Sequence, residues 1–394
     1  MPVHKKHTTT ASSNGATPSI VSSEQPTSEN FHQYLRAEIR HATRLVMEEV
    51  MREELSHFLG AAWGESTPAR KGYRNGSYLR DLMTTSGVIE DLNVPRDRAG
   101  QFHTQAFEQY NRFEPQVAEG LTQMFVTGTS THKVGEVAQT LMGVAPSASA
   151  ISRLNHSLTQ QFEAWRERPL QTHWRVVYLD GVHFKIRHGE KCDTSIILTA
   201  LGVNLEGNKE VLALRACAEE SKEGWVSLLQ DLRRRGATQV DLIVTDGHDG
   251  LLAAVSELFS ATPRQRCLVH KQRNVLNAIP RREREEVQAE LTAIWKQEKK
   301  EEALANLHAF QAKYGQRYPE AVRSLIEDEE HLLTFYAFPL AMHRHVQTTN
   351  AIESFFSNVR QRTDQIDAFT TEMSCLTIVW AVMQDIRFHK IAVF

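Results

Sequence analysis

The stretches WRVVYLDG (residues 174–181) and VDLIVTDG (residues 240–247) decide how this chain is read. Each is a short, continuous run of β-branched, aromatic and aliphatic side chains that stops at Asp-Gly, so each predicts a strand. Working outward, residues 184–187, 194–204 (TSIILTALGVN) and 209–218 (KEVLALRACA) predict further strands, and Gly189 and Gly207 allow three of them to run antiparallel. An amphipathic helix over 224–235 closed by Gly236, a helix over 250–259 and a short strand over 265–269 complete the segment. Strand, strand, strand, helix, strand, helix, strand is an α/β layout with one mixed sheet.

The flanks differ in kind. Residues 1–30 hold eleven Ser or Thr and few large apolar side chains, too little to offset ordering entropy, so a disordered tail is expected. Phe31, Leu35, Ile39, Ala42, Val46, Val50 and Leu59 then recur at helical spacing, predicting an amphipathic packing or dimer helix to Gly60. Residues 72–98 alternate apolar with polar between Gly, Asn and Pro and predict short strands; their cations suit either a solvated loop or a phosphate-contacting arm. Over 115–165 helical periodicity returns. One helix ends near Gly143 and a second starts near Ser147, a helix-turn-helix pattern shared by any helical hairpin; in a DNA reader Ser149, Ser152 and Arg153, with Asn155, would meet base edges. Residues 271–338 predict charged helices, followed by helices over 349–362 and 370–388. The expected division is 1–30, 31–70, 71–170, 171–270, 271–345 and 346–394: tail, amphipathic helix, DNA-binding region, α/β core, helical insertion and C-terminal core helices.

Composition sets the outer bounds. A chain of 394 residues suits about two to three domains. With 41% hydrophobic and 24% charged residues it has no apolar run near the roughly 20 residues a membrane helix needs. Forty-five Lys and Arg against 48 Asp and Glu give a net charge of -3, so a nucleic acid would have to be held by local basic patches. Four cysteines make no disulfide framework and no signal peptide is evident, so a cytoplasmic location is expected.

Three carboxylates stand out. Asp180 and Asp246 each follow a strand, and if those strands are neighbours both emerge at one sheet edge, where α/β proteins bind ligands. An isolated Asp-Gly after a strand is ordinarily a turn. Two at corresponding ends would repel, and a divalent cation relieves that; oxygen ligands favour Mg²⁺ or Mn²⁺ over zinc. Glu353, in TTNAIESFFSNVRQRT, shares a helix face with Ser357 and Arg360, opposite Ile352, Phe355, Phe356 and Val359. Alone it would be a first-turn acid favoured by the helix dipole.

YLDGVHFKIR, DLIVTDGHDGLLAAVSELF, RQRCLVHKQRNV and TTNAIESFFSNVRQRT, in this order, resemble the motif blocks of the Mutator-like family of bacterial insertion-sequence transposases. RNGSYLRDL, VPRDRAGQF and GTSTHKVGEVAQ extend the likeness into the DNA-binding half. The resemblance implies a ribonuclease H-like core of the DDE type, with an all-helical insertion from about Lys271 accounting for the 107-residue separation of Asp246 and Glu353. It implies Asp180, Asp246 and Glu353 as the catalytic, metal-holding acids of two Mg²⁺ (or Mn²⁺) ions. Arg360 falls on the family's basic position after the Glu, and Cys267 with His270 on its Cys-x-x-His pair. Trp295 falls where related proteins hold an aromatic near distorted DNA, though Leu291, Ile294 and Leu304 around it suit a core residue.

Zinc at Cys267 and His270 lacks ligands beyond the distant His343 and His345, so Cys267 is expected to pack beneath the site and His270 to bond a carboxylate or phosphate. Seven Lys or Arg and a single acid, Glu283, lie between Arg264 and Arg284, and Lys271 and Arg273 among them suit phosphate contact. Lys185 and Arg360 could clamp the scissile phosphate.

The expected function is therefore a transposase, acting on double-stranded DNA at terminal inverted repeats and target sites. It would work as a homodimer or larger, without a membrane, on the bacterial nucleoid. A non-catalytic DNA-binding regulator of transposase descent and a structure-selective nuclease with the same core are the alternatives.

Overall fold

In a computed structural model the described residues are 27–28, 30–107, 112–126, 129, 131–143, 145–146, 148–188, 191–364, 366–384 and 386–391. They fall into two units, one of residues to 117 with 138–145, the other of 118–137 and 146 onward. None of their helices is long and apolar enough to cross a membrane.

In the first unit, helix α1 (Phe31–Leu59) stops at Gly60, whose φ of +65° favours glycine and where an added Cβ would lie 2.6 Å from the Ala69 carbonyl oxygen. Its Met51 is buried with Leu82, Ile89, Leu92 and Val94 of an antiparallel hairpin, β1 (Arg74–Thr84) and β2 (Gly87–Asp97). The buried Glu48 accepts the Asn93 N–H at 3.0 Å and pairs with Arg44 at 3.0 Å, which fixes the helix on the hairpin. The strands expected over 72–98 are this hairpin. The other face of α1 leaves Phe31, Leu35, Ile39, Val46 and Val50 exposed. The next two helices, α2 (Pro115–Val126) and α3 (Thr131–Met142), are divided between the two units, at 117/118 and 137/138.

The second unit continues with α4 (Ala148–Glu167), β3 (His173–Trp174), β4 (Val176–His188), β5 (Lys191–Val203), β6 (Lys209–Cys217), α5 (Lys222–Arg234), β7 (Gln239–Val240), β8 (Ile243–Thr245), α6 (Asp249–Leu258) and β9 (Arg264–Arg266). Then come α7 (Leu268–Asn277), α8 (Arg284–Trp295), α9 (Lys300–Tyr314), α10 (Pro319–Glu327), α11 (Glu329–Leu332), α12 (Leu340–Val346), α13 (Asn350–Thr363) and α14 (Glu372–Gln384). The sheet order is β6-β5-β4-β8-β9, antiparallel from β6 to β4 and parallel from β4 to β9. The expected α/β class with one mixed sheet is therefore observed.

Alternation along β4 divides the core. Tyr178, Val182, Phe184 and Ile186 belong to an apolar cluster with Phe355, Phe356 and Val359 of α13 and Val379 of α14. Val177 and Leu179 join the other, with Trp225 and Leu228 of α5 and Leu251 and Val255 of α6. Helices bury both faces, which is why these strands read as continuous apolar runs.

Three strand boundaries differ from expectation. Residues 174–179 and 184–187 do not make two strands: β4 is continuous, because β5 pairs with it from Val176↔Val203 to His188↔Lys191. Gly181, which reads as a turn residue, sits mid-strand, where a Cβ would meet Ile196 Cγ2 at 2.9 Å. Residues 240–245 break into β7, paired with β3 at Trp174↔Val240, and β8, paired with β4 at Val177↔Ile243. The last strand ends at Arg266, since the Leu268 N–H already bonds the Gln347 carbonyl and α7 begins. Of the two expected turn glycines, Gly207 takes φ +85° and Gly189 lies outside the described residues. Trp295 is buried in the helical core with Leu291 and Ile294, the packing role its neighbours suggest.

Candidate active site

Asp180 is not at a strand end but inside β4, and what ends there is its parallel neighbour. The last β4–β8 partners are Leu179↔Thr245, so Asp180 and Asp246 are adjacent in register, one residue beyond the paired segment. By alternation both lie on the face of the sheet that α13 covers. Asp180 Oδ1 accepts its neighbour's Gly181 N–H at 2.9 Å, and Asp246 Oδ1 accepts the His248 N–H at 3.1 Å. Gly247 between them has φ +85°, and a Cβ there would lie 2.2 Å from the Arg266 guanidinium carbon, so the turn is closed to any side chain.

Burial, and then the charge of Asp246, push the Asp180 carboxyl up to about 7, with Glu353 adding to the rise and His270 opposing it. Asp180 therefore feels groups from the β8 end, α7 and α13.

How Glu353 is held depends on Cys267 and Thr349. The Cys267 N–H bonds the Thr245 carbonyl at 2.8 Å and its buried Sγ faces the start of α13, where the Thr349 N–H and hydroxyl both lie 3.3 Å away. The same hydroxyl is 3.2 Å from Glu353 Oε1 and 3.4 Å from His270 Nδ1. It caps no backbone N–H of α13; it can donate to either the thiol or the carboxylate while accepting from the imidazole. His270 Nε2 lies 3.7 Å from Glu353 Oε1. The hydrogen bond with Cys267 holds His270 above its ordinary pKa against burial. Burial alone would raise the Cys267 thiol, but bonds to His270 and Thr349 outweigh it and leave the thiol below its usual range.

Other expected site residues are placed differently. Lys271 is buried, with Nζ 2.7 Å from the Ser324 carbonyl and 2.5 Å from Asp328 Oδ2, and Arg266 pairs with the same carboxylate at 2.9 Å. Phosphate contact at Lys271 is therefore corrected to an internal ion pair: its side chain follows the inward face of α7, while Arg273 is exposed. Lys185, five residues along β4 and exposed, points to the face opposite Asp180, roughly 16 Å away along the strand, and is not brought to the acids. Arg360 is exposed two helical turns beyond Glu353, roughly 10 Å along α13. Arg153 is exposed on α4; the side chains of Ser149, Ser152 and Asn155 lie outside the described residues. His343 bonds the Phe338 carbonyl at 2.8 Å and His345 accepts from Arg344 at 2.9 Å, so neither joins Cys267.

Two residues went unread in the sequence. Thr349 looks like one hydroxyl among several before a helix. Glu220, just before α5, accepts the Trp225 indole N–H at 3.0 Å, and burial and then the charge of Asp246 raise its pKa. Its Oε2 would lie 3.5 Å from a Cβ on Gly181, behind Asp180 on the opposite sheet face.

Among the described residues no group of three or more His, Cys, Asp or Glu is placed to hold one metal ion. Asp180 feels the charges of both Asp246 and Glu353, and their carboxylate oxygens are donors of the type that hard cations take.

Residues 18–390 match the family model for transposases of the Mutator family. The chain is 36% identical over 368 residues to the transposase for insertion sequence element ISRM5 of Rhizobium meliloti (strain 1021), covering 89% of this chain and 92% of the relative. It is 30% identical over 352 residues to that of IS905 from Lactococcus lactis subsp. lactis (strain IL1403), covering 89% of each. With the transposase for IS256 in transposon Tn4001 of Staphylococcus aureus it shares 28% over 349 residues, 87% of this chain and 88% of the relative.

Proposed function

Because the chain belongs to the Mutator family of transposases, we propose that it cuts double-stranded DNA at insertion-sequence ends and joins the freed end to target DNA by two-metal-ion DDE chemistry. The observation that carries the chemistry is the adjacency of Asp180 and Asp246 where β4 and β8 part, with the Asp180 carboxyl at about 7 through burial and its neighbour's charge.

A pair of Mg²⁺ or Mn²⁺ ions held there supplies activation of the attacking oxygen and charge neutralisation at the leaving oxygen. Asp180, Asp246 and Glu353 would hold them. The Thr349 hydroxyl and His270 orient Glu353, and Cys267 anchors Thr349 from below. Water attacks the phosphodiester at the element end and its 3′-oxygen leaves as a free hydroxyl; that hydroxyl then attacks a target phosphodiester, whose own 3′-oxygen leaves. No side chain need become covalently attached. The mixed five-stranded sheet, its first long strand central and its acids meeting helix α13, supports the ribonuclease H-like reading. Helices α3 and α4, with the exposed Arg153, support a helix-turn-helix reader of the terminal repeats. Two DNA ends require two active sites, so at least a homodimer works on the nucleoid.

The test uses DNA carrying an element end, with Mg²⁺. Asp180→Asn should abolish cleavage and joining, retain end binding, and weaken Mn²⁺ binding measured by titration calorimetry. Strand transfer by that variant removes Asp180 from the mechanism. Cut but unjoined products from the native chain would make it a nuclease, and binding without any cut a regulator.

A further inference from the structure

On the far side of α13 from Glu353 lies a cavity of about 430 Å³, inside the size range of sites that enclose a small molecule. Lys209 of β6, Arg344 and His345 of α12 and Arg387 past α14 line it, together with Phe355 and Phe388, whose ring centroids are 6.1 Å apart. Among the described residues no carboxylate lines it, and Lys209, Arg344 and Arg387 make no ion pair. The buried cations Arg266, Lys271 and Arg235 are each paired with a carboxylate. Gathering three unpaired cations around a cavity raises electrostatic energy unless an anion joins them. Burial, then the charges of Arg344 and Lys209, hold the His345 imidazole below its ordinary range. The first turn of the 14-residue helix α13 also opens into the cavity, and helix N-termini favour anions.

The cavity is tied to the acidic site. The Tyr178 hydroxyl, two residues before Asp180 on β4, donates to the His345 carbonyl at 2.9 Å. Thr348 and Asn350, which line the cavity, flank Thr349, whose hydroxyl reaches Glu353.

We propose that this cavity holds a backbone phosphate of the DNA strand that passes the acidic site, with Lys209, Arg344 and Arg387 as its contacts and the attached sugar against Phe388. The inference rests on the DNA reading above and adds to it the place where the strand is gripped beside the cut. No bond forms or breaks there.

The test is binding of the full-length chain to a fluorescein-labelled 30-base-pair duplex, followed by anisotropy across a salt series. Each phosphate contact contributes about 0.9 to the slope of log K against log salt. Arg344→Gln with Arg387→Gln, both exposed, should lower that slope by about 1 to 2 and weaken binding. Ser354→Glu, which keeps every cation but puts an acid on the cavity wall, should weaken binding as well. Arg323→Gln on α10, an exposed cation elsewhere, should change neither. A native chain that fails to bind the duplex overturns the DNA reading itself. Native binding with an unchanged slope in the double variant, or an equal loss in Arg323→Gln, overturns the cavity's role alone.

Discussion

Replacing Asp328 by alanine should destabilise the second unit by about 3–5 kcal/mol, the cost of leaving buried charge uncompensated. The Asp328 carboxylate is 2.5 Å from Lys271 Nζ and 2.9 Å from Arg266 Nε, and those two side chains are 5% and 6% exposed. Without it Lys271 keeps only the Ser324 carbonyl and, at 3.4 Å, its hydroxyl, both uncharged, while Arg266 already has a buried Nη1 with no partner. At roughly 2–4 °C per kcal/mol for a domain of this size, the melting temperature should drop by about 6–20 °C.

The same pair sets a pH dependence. Burial would raise the Asp328 carboxyl, but Lys271 and Arg266 outweigh it and hold it below the ordinary carboxylate range. Its contribution is thus fully present above the unfolded value near pH 3.9, and is lost as pH falls through the lower folded value. The gap between native and variant stability, measured by urea melts from pH 7 downward, should narrow only below about pH 4. Lys271→Met should also destabilise, yet leave the salt slope of DNA binding untouched. A native-like melt for Asp328→Ala, or a Lys271→Met chain of native stability and reduced slope, would refute the reasoning and return Lys271 to the DNA surface.

Thr349→Val keeps the shape and removes the hydroxyl shared by Cys267 and Glu353, so cleavage should slow by about 10- to 100-fold, the worth of a hydrogen bond to a charged group, and need more Mn²⁺; Thr349→Ser should restore both. Equal rates and equal metal dependence for Val and Thr would dismiss the link. The exposed stripe of α1, at 31, 35, 39, 42, 46 and 50, lies within an arc of roughly 100° and is symmetric about its middle, which suits antiparallel pairing with a second copy. Val46→Glu should then shift sedimentation toward monomer, and an unchanged profile would place the subunit contact elsewhere.

The α/β succession was legible because the central stretches of β4, β5, β6 and β8 are buried on both faces and read as apolar runs, and because helix ends carry their own markers, as Gly60 does for α1. What periodicity could not see was pairing. Gly181 has the local chemistry of a turn, yet thirteen register partners on β5 hold β4 extended through it. Val240 and Ile243 belong to one apolar run but to different sheets, for no reason written in the run itself. Charge was the least legible property. Arg266 and Lys271 look like part of a phosphate-binding stretch until Asp328, far along the chain, is found between them.

The acids of the candidate site could be picked out because each interrupts or follows an apolar pattern, where a carboxylate costs most unless it has a use. Their supports could not. Thr349, Glu220 and Gly247 are residue types that end helices and make turns everywhere, and their roles come from what lies opposite: a thiol, an indole, a guanidinium. Asp180 depends on β5 and β8 for its place, Asp246 on Gly247 and Arg266 for its turn, and Glu353 on Thr349 for its direction. Each acid thus hangs on a different neighbour. Substitutions at the supports should therefore affect the acids one at a time, whereas Asp180, whose charge feels both Asp246 and Glu353, is the position where a single change disturbs the whole set.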